Sequence, residues 1–228
     1  MNHFLQVLPI AMLGGMLGLD VVCFPQMMIS RPLVAATLAG AFVGDPGRGI
    51  LIGVTMELIA LATLPFGASR YPEWGSAAVV AGAIAGALPA NSPGALTIAL
   101  LFGLCTAYVG GWTLVRLRTW NAWLARRRRP ALDAGARGTV IGLQLAGLTA
   151  DLVRASVLTA VMYAVLSPIA VVALAHWSFD DSLSRALVVS LACAVAASAA
   201  WTIFHSAQHA RLWFAGGLVA GLLLLLAR

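Results

Sequence analysis

The feature that most constrains this chain is residues 31–74, RPLVAATLAGAFVGDPGRGILIGVTMELIALATLPFGASRYPEW. The stretch is apolar enough to lie in a membrane. Yet Gly and Pro interrupt it repeatedly, and it carries Arg31, Asp45, Arg48, Glu57 and Glu73. A spanning helix needs about 20 mostly apolar residues. Residues 33–43 supply roughly half of that, and 50–66 enclose a carboxylate, Glu57. Charge and irregular backbone survive at membrane depth only where protein buries them or a water-filled cavity meets them. Short, Gly/Pro-broken apolar segments are how membrane transporters build polar substrate sites. The pattern therefore predicts a transporter.

Composition narrows the class. The chain has 228 residues, 61% of them hydrophobic and only 10% charged, and its mean hydropathy is +0.94. A soluble domain averages about 25% charged residues, so this is an integral membrane protein, read as one domain over 1–228. The net charge of +6 does not imply nucleic acid, because the arginines are not spread along a polar face. They gather at Arg116, Arg118, Arg126, Arg127, Arg128, Arg129 and Arg137. The positive-inside bias makes 116–138 an Arg-rich cytoplasmic loop. Cys23, Cys105 and Cys193 stand alone in apolar sequence, with no CxxC pair or disulfide framework, and are expected to be buried small hydrophobes. No basic segment precedes the first apolar run, so that run is expected to stay in the membrane rather than be cleaved.

Apolar segments fall at about 4–19, 33–43, 50–66, 77–88, 95–115, 139–152, 155–175, 186–204 and 212–227. Several are too short to cross alone. The expected fold is an all-α polytopic helical bundle. Its N-terminal half holds broken or re-entrant helices as the substrate-bearing core, and its plainer C-terminal half forms a helical scaffold. Small-residue pairs at four-residue spacing (Gly14/Gly18, Gly40/Gly44, Gly49/Gly53, Gly82/Gly86, Gly217/Gly221) let helices approach closely in lipid; they speak for packing, not chemistry.

Five groups of residues could carry function. Gly49, Gly53 and Glu57 share a helix face, where a carboxylate beside a smooth backbone could receive a ligand; alternatively Glu57 pairs with Arg31 or Arg48. The turn 65–73, PFGASRYPE, offers backbone N–H groups around Gly67, Ala68 and Ser69, the carboxylate of Glu73 and the aromatics Tyr71 and Trp74. Such a set suits a hydroxyl-rich ligand, since each hydroxyl donates and accepts, or it forms an ordinary interfacial loop with aromatic anchors. Asp45, before Pro46 and Gly47, is expected to cap the next helix, with Arg48 as a partner. Asp151 and Arg154, three apart on one helix face, neutralise each other or orient a partner subunit. His205 and His209 have metal-pair spacing but no third ligand, and interfacial histidines are the simpler reading. No nucleophile elbow, P-loop, zinc motif or catalytic carboxylate pair is present, and an integral-membrane transferase would need a clustered acidic metal motif that is absent.

The arrangement Arg31-Pro32-Leu33, Gly44-Asp45, Gly49, Gly53, Thr55, Glu57-Leu58, Gly67-Ala68 and Pro72-Glu73 resembles the membrane IIC subunit of the mannose/sorbose family of the bacterial sugar phosphotransferase system. The match is dense over 31–75 and looser beyond, where Arg154 and the segment 209–211 fall where the family also carries basic residues. The resemblance implies a multi-pass protein of the bacterial inner membrane, in a lipid environment, that forms a hetero-oligomer with a membrane IID subunit. Cytoplasmic IIA and IIB proteins would phosphorylate the incoming sugar, so no histidine here need carry phosphate and no cofactor is implied. The family is thought to move a substrate-holding core against a scaffold. Carried over to matching positions, its sugar contacts include Glu57, Gly67, Ala68 and Glu73, with Ser69 beside them and Thr55 in the same motif. The opposing expectation is a docking or assembly subunit, non-transporting or uncoupled, in which these charges only hold a partner.

Overall fold

The structure, a computed structural model, describes residues 3–21, 23–61, 63, 70–89, 92, 94–176, 181–204 and 206–226. Among them every regular element is a helix: α1 (His3–Asp20), α2 (Pro32–Val43), α3 (Pro46–Leu61), α4 (Trp74–Ala87), α5 (Ala95–Arg127), α6 (Arg129–Asp133), α7 (Arg137–His176), α8 (Asp181–Phe204) and α9 (Ala210–Leu226). The chain forms two compact units, Met1–Ser184 and Arg185–Arg228. Within the second, Trp201 of α8 and Phe214 of α9 meet edge to face at 5.7 Å between ring centres.

The first unit is organised around α4, a helix of 14 residues with the sequence WGSAAVVAGAIAGA. At 1.5 Å per residue it is only about 21 Å long, short of the roughly 30 Å hydrocarbon layer. Its residues from Trp74 to Ala85 are all buried, against α1, α2, α3, α5 and α7. A helix enclosed on every side can sit so tightly only because its residues are small. A Cβ added to Gly82 would lie 2.3 Å from the carbonyl oxygen of Ala36 on α2, and one on Gly75 would lie 2.8 Å from that of Leu17 on α1. The same device joins α1 to α7, where Gly14 and Gly18 face Thr159 and Ala155, and α2 to α3, where Gly40 faces Gly49.

The hairpin α2–α3 is set by local chemistry. Pro32 opens α2, where a missing N–H costs nothing. Gly44 closes it with φ of 102°, a left-handed conformation that glycine adopts freely. By contrast α5 and α7, of 33 and 40 residues, are about 50 and 60 Å long and, among the described residues, are the two helices long and apolar enough to cross a membrane. The outward row Val153, Val157, Val161, Val165 and Ile169 on α7 is exposed.

Three expectations need correction. The Arg-rich segment 116–138 is mostly helix rather than loop: α5 runs on through Arg127, α6 follows, and only residue 128 and residues 134–136 separate them from α7. Arginine is a strong helix former, and two of these side chains stack on tryptophans one turn earlier, Arg116 on Trp112 and Arg127 on Trp123. The apolar runs 139–152 and 155–175 are one helix, because Asp151 and Arg154 neutralise each other on its surface and do not interrupt it. Cys23, Cys105 and Cys193 are exposed rather than buried.

Candidate substrate site

Each of the four acids in the first 90 residues accepts a backbone N–H. Asp20 ends α1 and takes those of Met27 and Ser30 at 2.7 and 3.0 Å. Asp45 takes that of Arg48 at 3.0 Å, capping α3. Glu57 takes that of Leu33 at 3.3 Å, in the first turn of α2. Glu73 caps α4 by taking that of Ser76 at 3.0 Å. The first N–H groups of a helix have no partner within it, and in a membrane no water replaces one. Negative charge also suits the positive end of the helix dipole. At the other end of α4, Arg48 donates to the carbonyls of Ala85, Leu88 and Pro89. The short buried helix is thus held by an anion at its start and a cation at its finish.

Glu73 differs from the other three. Its residue is 1% exposed, its own N–H donates to the carbonyl of Ala107 on α5 at 2.9 Å, and its Oε2 has no hydrogen-bond partner among the described residues. Glycines from three helices make the room. A Cβ on Gly110 of α5 would lie 3.1 Å from Oε2, and Cβ atoms on Gly75 of α4 and Gly18 of α1 would lie 3.1 and 3.7 Å from Oε1. Leaving a buried acceptor unsatisfied costs about 1–3 kcal/mol. Among the described residues of the broken region, this oxygen is the buried side-chain atom that lacks a hydrogen-bond partner.

Glu57 is placed otherwise than a ligand-receiving face requires. It pairs with Arg31, and the glycine face beside it is filled: Cβ atoms on Gly49 and Gly53 would lie 2.5 Å from the carbonyl oxygen of Ala36 and 2.8 Å from the Cα of Leu33. The smooth backbone receives α2, not a small molecule. Thr55 bonds back to the carbonyl of Leu51 on its own helix at 2.9 Å. No hydrogen bond or ion pair links Glu57 to Glu73 among the described residues. Gly67, Ala68 and Ser69 lie outside those residues, as does His205 of the histidine pair. No cluster of three metal-ligating side chains occurs among the described residues.

The family model of the PTS system sorbose-specific IIC component matches residues 4–189. The chain belongs to this IIC family. It is 35% identical over 69 residues to the sorbose-specific EIIC component of Lacticaseibacillus casei, a match covering 30% of this chain and 24% of that protein. With the mannose-specific EIIC component of Escherichia coli (strain K12) it shares 33% over 76 residues, 33% of this chain and 28% of that one. The matched stretch thus spans about a quarter of these relatives' length. A solved membrane-protein structure superimposes with a TM-score of 0.71 at 20% identity, covering 95% of this chain and 86% of that one. A cryo-EM structure of the mannose transporter ManYZ with microcin E492 (MceA) superimposes with 0.62 at 20%, covering 96% and 86%. Both likenesses establish the fold: the chain is a membrane protein with the all-helical IIC architecture.

Several residues that organise this IIC chain escaped the sequence. Asp20 is one, although an acid ending an apolar helix before a Pro-containing turn is a visible sign of backbone capture. Arg118 donates to the Tyr71 hydroxyl and stands 4.8 Å from the centre of that ring, fastening the segment before Glu73 to α5. Asp151 and Arg154 do pair, at 2.8 Å. They also recruit Thr113 of α5, which accepts from Arg154 Nη1 at 3.1 Å, and Cys23, whose thiol donates to Asp151 at 3.1 Å. Trp74 donates to Thr63 at 3.0 Å, so it serves the end of α3 rather than standing free as a belt anchor.

Proposed function

We propose that this chain is the sugar-translocating membrane subunit of a mannose/sorbose-type phosphotransferase system in the bacterial inner membrane, crossing it several times. It works beside a IID-type membrane subunit and delivers a hexose-type sugar to the cytoplasm, where IIA and IIB partners phosphorylate it. The chain itself carries no phosphoryl group. The observation that carries this reading is the unpartnered Oε2 of Glu73, in a IIC-family chain, four residues beyond the segment of Gly67, Ala68 and Ser69. A sugar hydroxyl donating to Oε2 supplies the missing hydrogen bond, while backbone N–H groups of that segment donate to its neighbours. Movement of this core against the long helices then exposes the sugar to the cytoplasm.

Glu57 and Thr55 contribute less directly. Their bonds to Arg31, Leu33 and Leu51 occupy them within the protein. The Arg31–Glu57 pair favours a second reading, in which charges of this region hold helices or a partner and the chain is a docking subunit without transport of its own.

The test is uptake of labelled hexoses in cells that co-express this chain with a IID-type partner, scoring sugar phosphate inside. Glu73→Gln keeps an acceptor for Ser76 yet changes the unpartnered side, so transport should fall at least tenfold with membrane abundance unchanged. Glu57→Gln should cost less. Uptake unaffected by both changes together would remove the assigned site. No hexose uptake by the unaltered pair would support the docking reading.

A further inference from the structure

Beyond sugar handling, the face between α5 and α7 has the makings of a lipid site. A groove of about 750 Å³ opens there, lined by Trp120 of α5 and by Leu145, Ala146, Ala150, Val153 and Val157 of α7. Its walls are apolar except for Thr149 and for Arg154, whose charge Asp151 already balances at 2.8 Å. From Leu145 to Val157 the groove runs about 18 Å at 1.5 Å per residue. That is close to one leaflet, half of a hydrocarbon layer of roughly 30 Å.

One end of the groove is strongly basic. Along α5, Trp112, Arg116, Trp120, Trp123 and Arg127 fall within about 80° of arc at 3.6 residues per turn, so the tryptophan that walls the groove belongs to a Trp/Arg stripe. Arg116 stands 5.1 Å from the Trp112 ring centre, and Arg127 stands 4.5 Å from that of Trp123. All three tryptophans are exposed. Past the groove, α5 ends in Arg126 and Arg127, and α7 begins at Arg137. Against the five arginines of 126–137 stands one acid, Asp133, which meets Arg129 at 3.7 Å. Trp marks the membrane–water interface, and the basic side faces the leaflet rich in anionic lipid.

We infer that this groove binds an anionic phospholipid, one acyl chain lying along α7 from Leu145 to Val157 and the phosphate meeting the arginines at the Trp/Arg end. The charge decides the occupant. A neutral lipid or an apolar partner helix would fill the groove but leave the arginine collar without a counterpart. Long arginine side chains keep their stems on apolar surface while their heads reach phosphate, and stacking on Trp123 holds Arg127 in place.

The full-length chain should be purified with equimolar phosphatidylglycerol and phosphatidylcholine and examined by native mass spectrometry. We expect phosphatidylglycerol to be retained at least fivefold over phosphatidylcholine. Ala150→Phe, which fills the groove without touching charge, should abolish that preference, and so should the combined change of Arg126, Arg127 and Arg137 to Gln on exposed helix ends. A second readout avoids dependence on a packing variant: phosphatidylglycerol with brominated chains should quench tryptophan fluorescence, and Trp120→Phe should remove at least a third of the quenching. Equal retention of the two lipids overturns the inference. So does a preference that survives Ala150→Phe, which would mean attraction to the arginine surface alone. Retention of a second membrane chain in place of lipid, released by Ala150→Phe, would assign the groove to a partner helix and overturn it as well.

Discussion

The short helices α2, α3 and α4 and the long helices α5 and α7 solve the same problem in opposite ways. A helix of about 20 Å cannot bring both ends to the membrane surface, so its terminal N–H and C=O groups must find partners in protein. Charged side chains supply them: Glu57 at the start of α2, Asp45 at the start of α3, Glu73 and Arg48 at the two ends of α4. The long helices exceed the apolar layer in length, at about 50 and 60 Å against roughly 30 Å. Gly94 before α5 makes no side-chain cap, and the end of α5 at Arg128 is closed by backbone bonds alone. Charge within α7 serves a different purpose, since Asp151 and Arg154 bind each other and neighbouring side chains rather than helix ends. The lesson concerns how intramembrane charge is interpreted. In a region of broken helices its first duty is to the backbone, and the atom that this duty leaves without a partner among the described residues is Oε2 of Glu73, to which the proposed sugar site is assigned.

The largest effect should come from the side-chain network of the long helices. Asp151→Ala leaves Arg154 buried without its counter-ion, and removing one member of a buried pair costs about 3–5 kcal/mol. Reversible unfolding in detergent should show that loss, and adding Arg154→Leu should restore much of it. A double variant as unstable as the single one would break the distinction drawn above. Next comes packing around α4. Gly82→Ala forces a methyl group to 2.3 Å from the Ala36 carbonyl, and overpacking of this kind costs about 1–3 kcal/mol. Gly217→Ala in α9 meets nothing within 4 Å among the described residues and should leave the same unfolding curve in place. Arg48→Gln follows. It strips charged hydrogen bonds from the end of α4 and should cost about 1.5–3 kcal/mol, whereas Arg127→Gln at the end of α5 should change stability little. Equal losses from the two arginines would mean that end-capping does not separate short helices from long ones.

Much of the architecture was legible. Gly and Pro breaks announced short helices in the N-terminal half, and the Gly14/Gly18, Gly49/Gly53 and Gly82/Gly86 pairs lie at real helix contacts, whereas Gly44 of the Gly40/Gly44 pair serves the turn that ends α2. What the sequence hid has a common cause. In a soluble protein the apolar face points inward, but in lipid the outside is as apolar as the inside, so a pattern of faces does not tell which neighbour covers each one. Gly49, Gly53 and Glu57 do share a face, yet that face meets α2 and Arg31 rather than open space. The cysteines of an apolar run look buried and are exposed for the same reason. Charge misled in the other direction. Arginines that announce a loop through their polarity also prolong a helix past its apolar run, as in α5 to Arg127, and an i,i+3 acid–base pair lets α7 continue where two apolar runs seemed to part.

The finest distinction is drawn by Asp45 and Asp133, two acids of different duty, the first half-buried and the second exposed. Asp45 accepts the Arg48 N–H at the start of α3, and its contact with the Arg48 side chain is long, 3.9 Å. Asp133 meets Arg129 across one turn of α6, with both side chains more than two-thirds exposed. If capping is what the broken region asks of its acids, Asp45→Ala should cost about 1 kcal/mol, and Asp45→Asn, which keeps the cap, only a few tenths. Asp133→Ala should leave stability unchanged, because exposed pairs contribute little. Measured side by side in detergent unfolding, an Asp45→Asn loss as large as that of Asp45→Ala would show that charge toward Arg48, not acceptance from the backbone, is the working interaction. A loss confined to Asp45→Ala would tie the acid to the helix end, as the geometry requires.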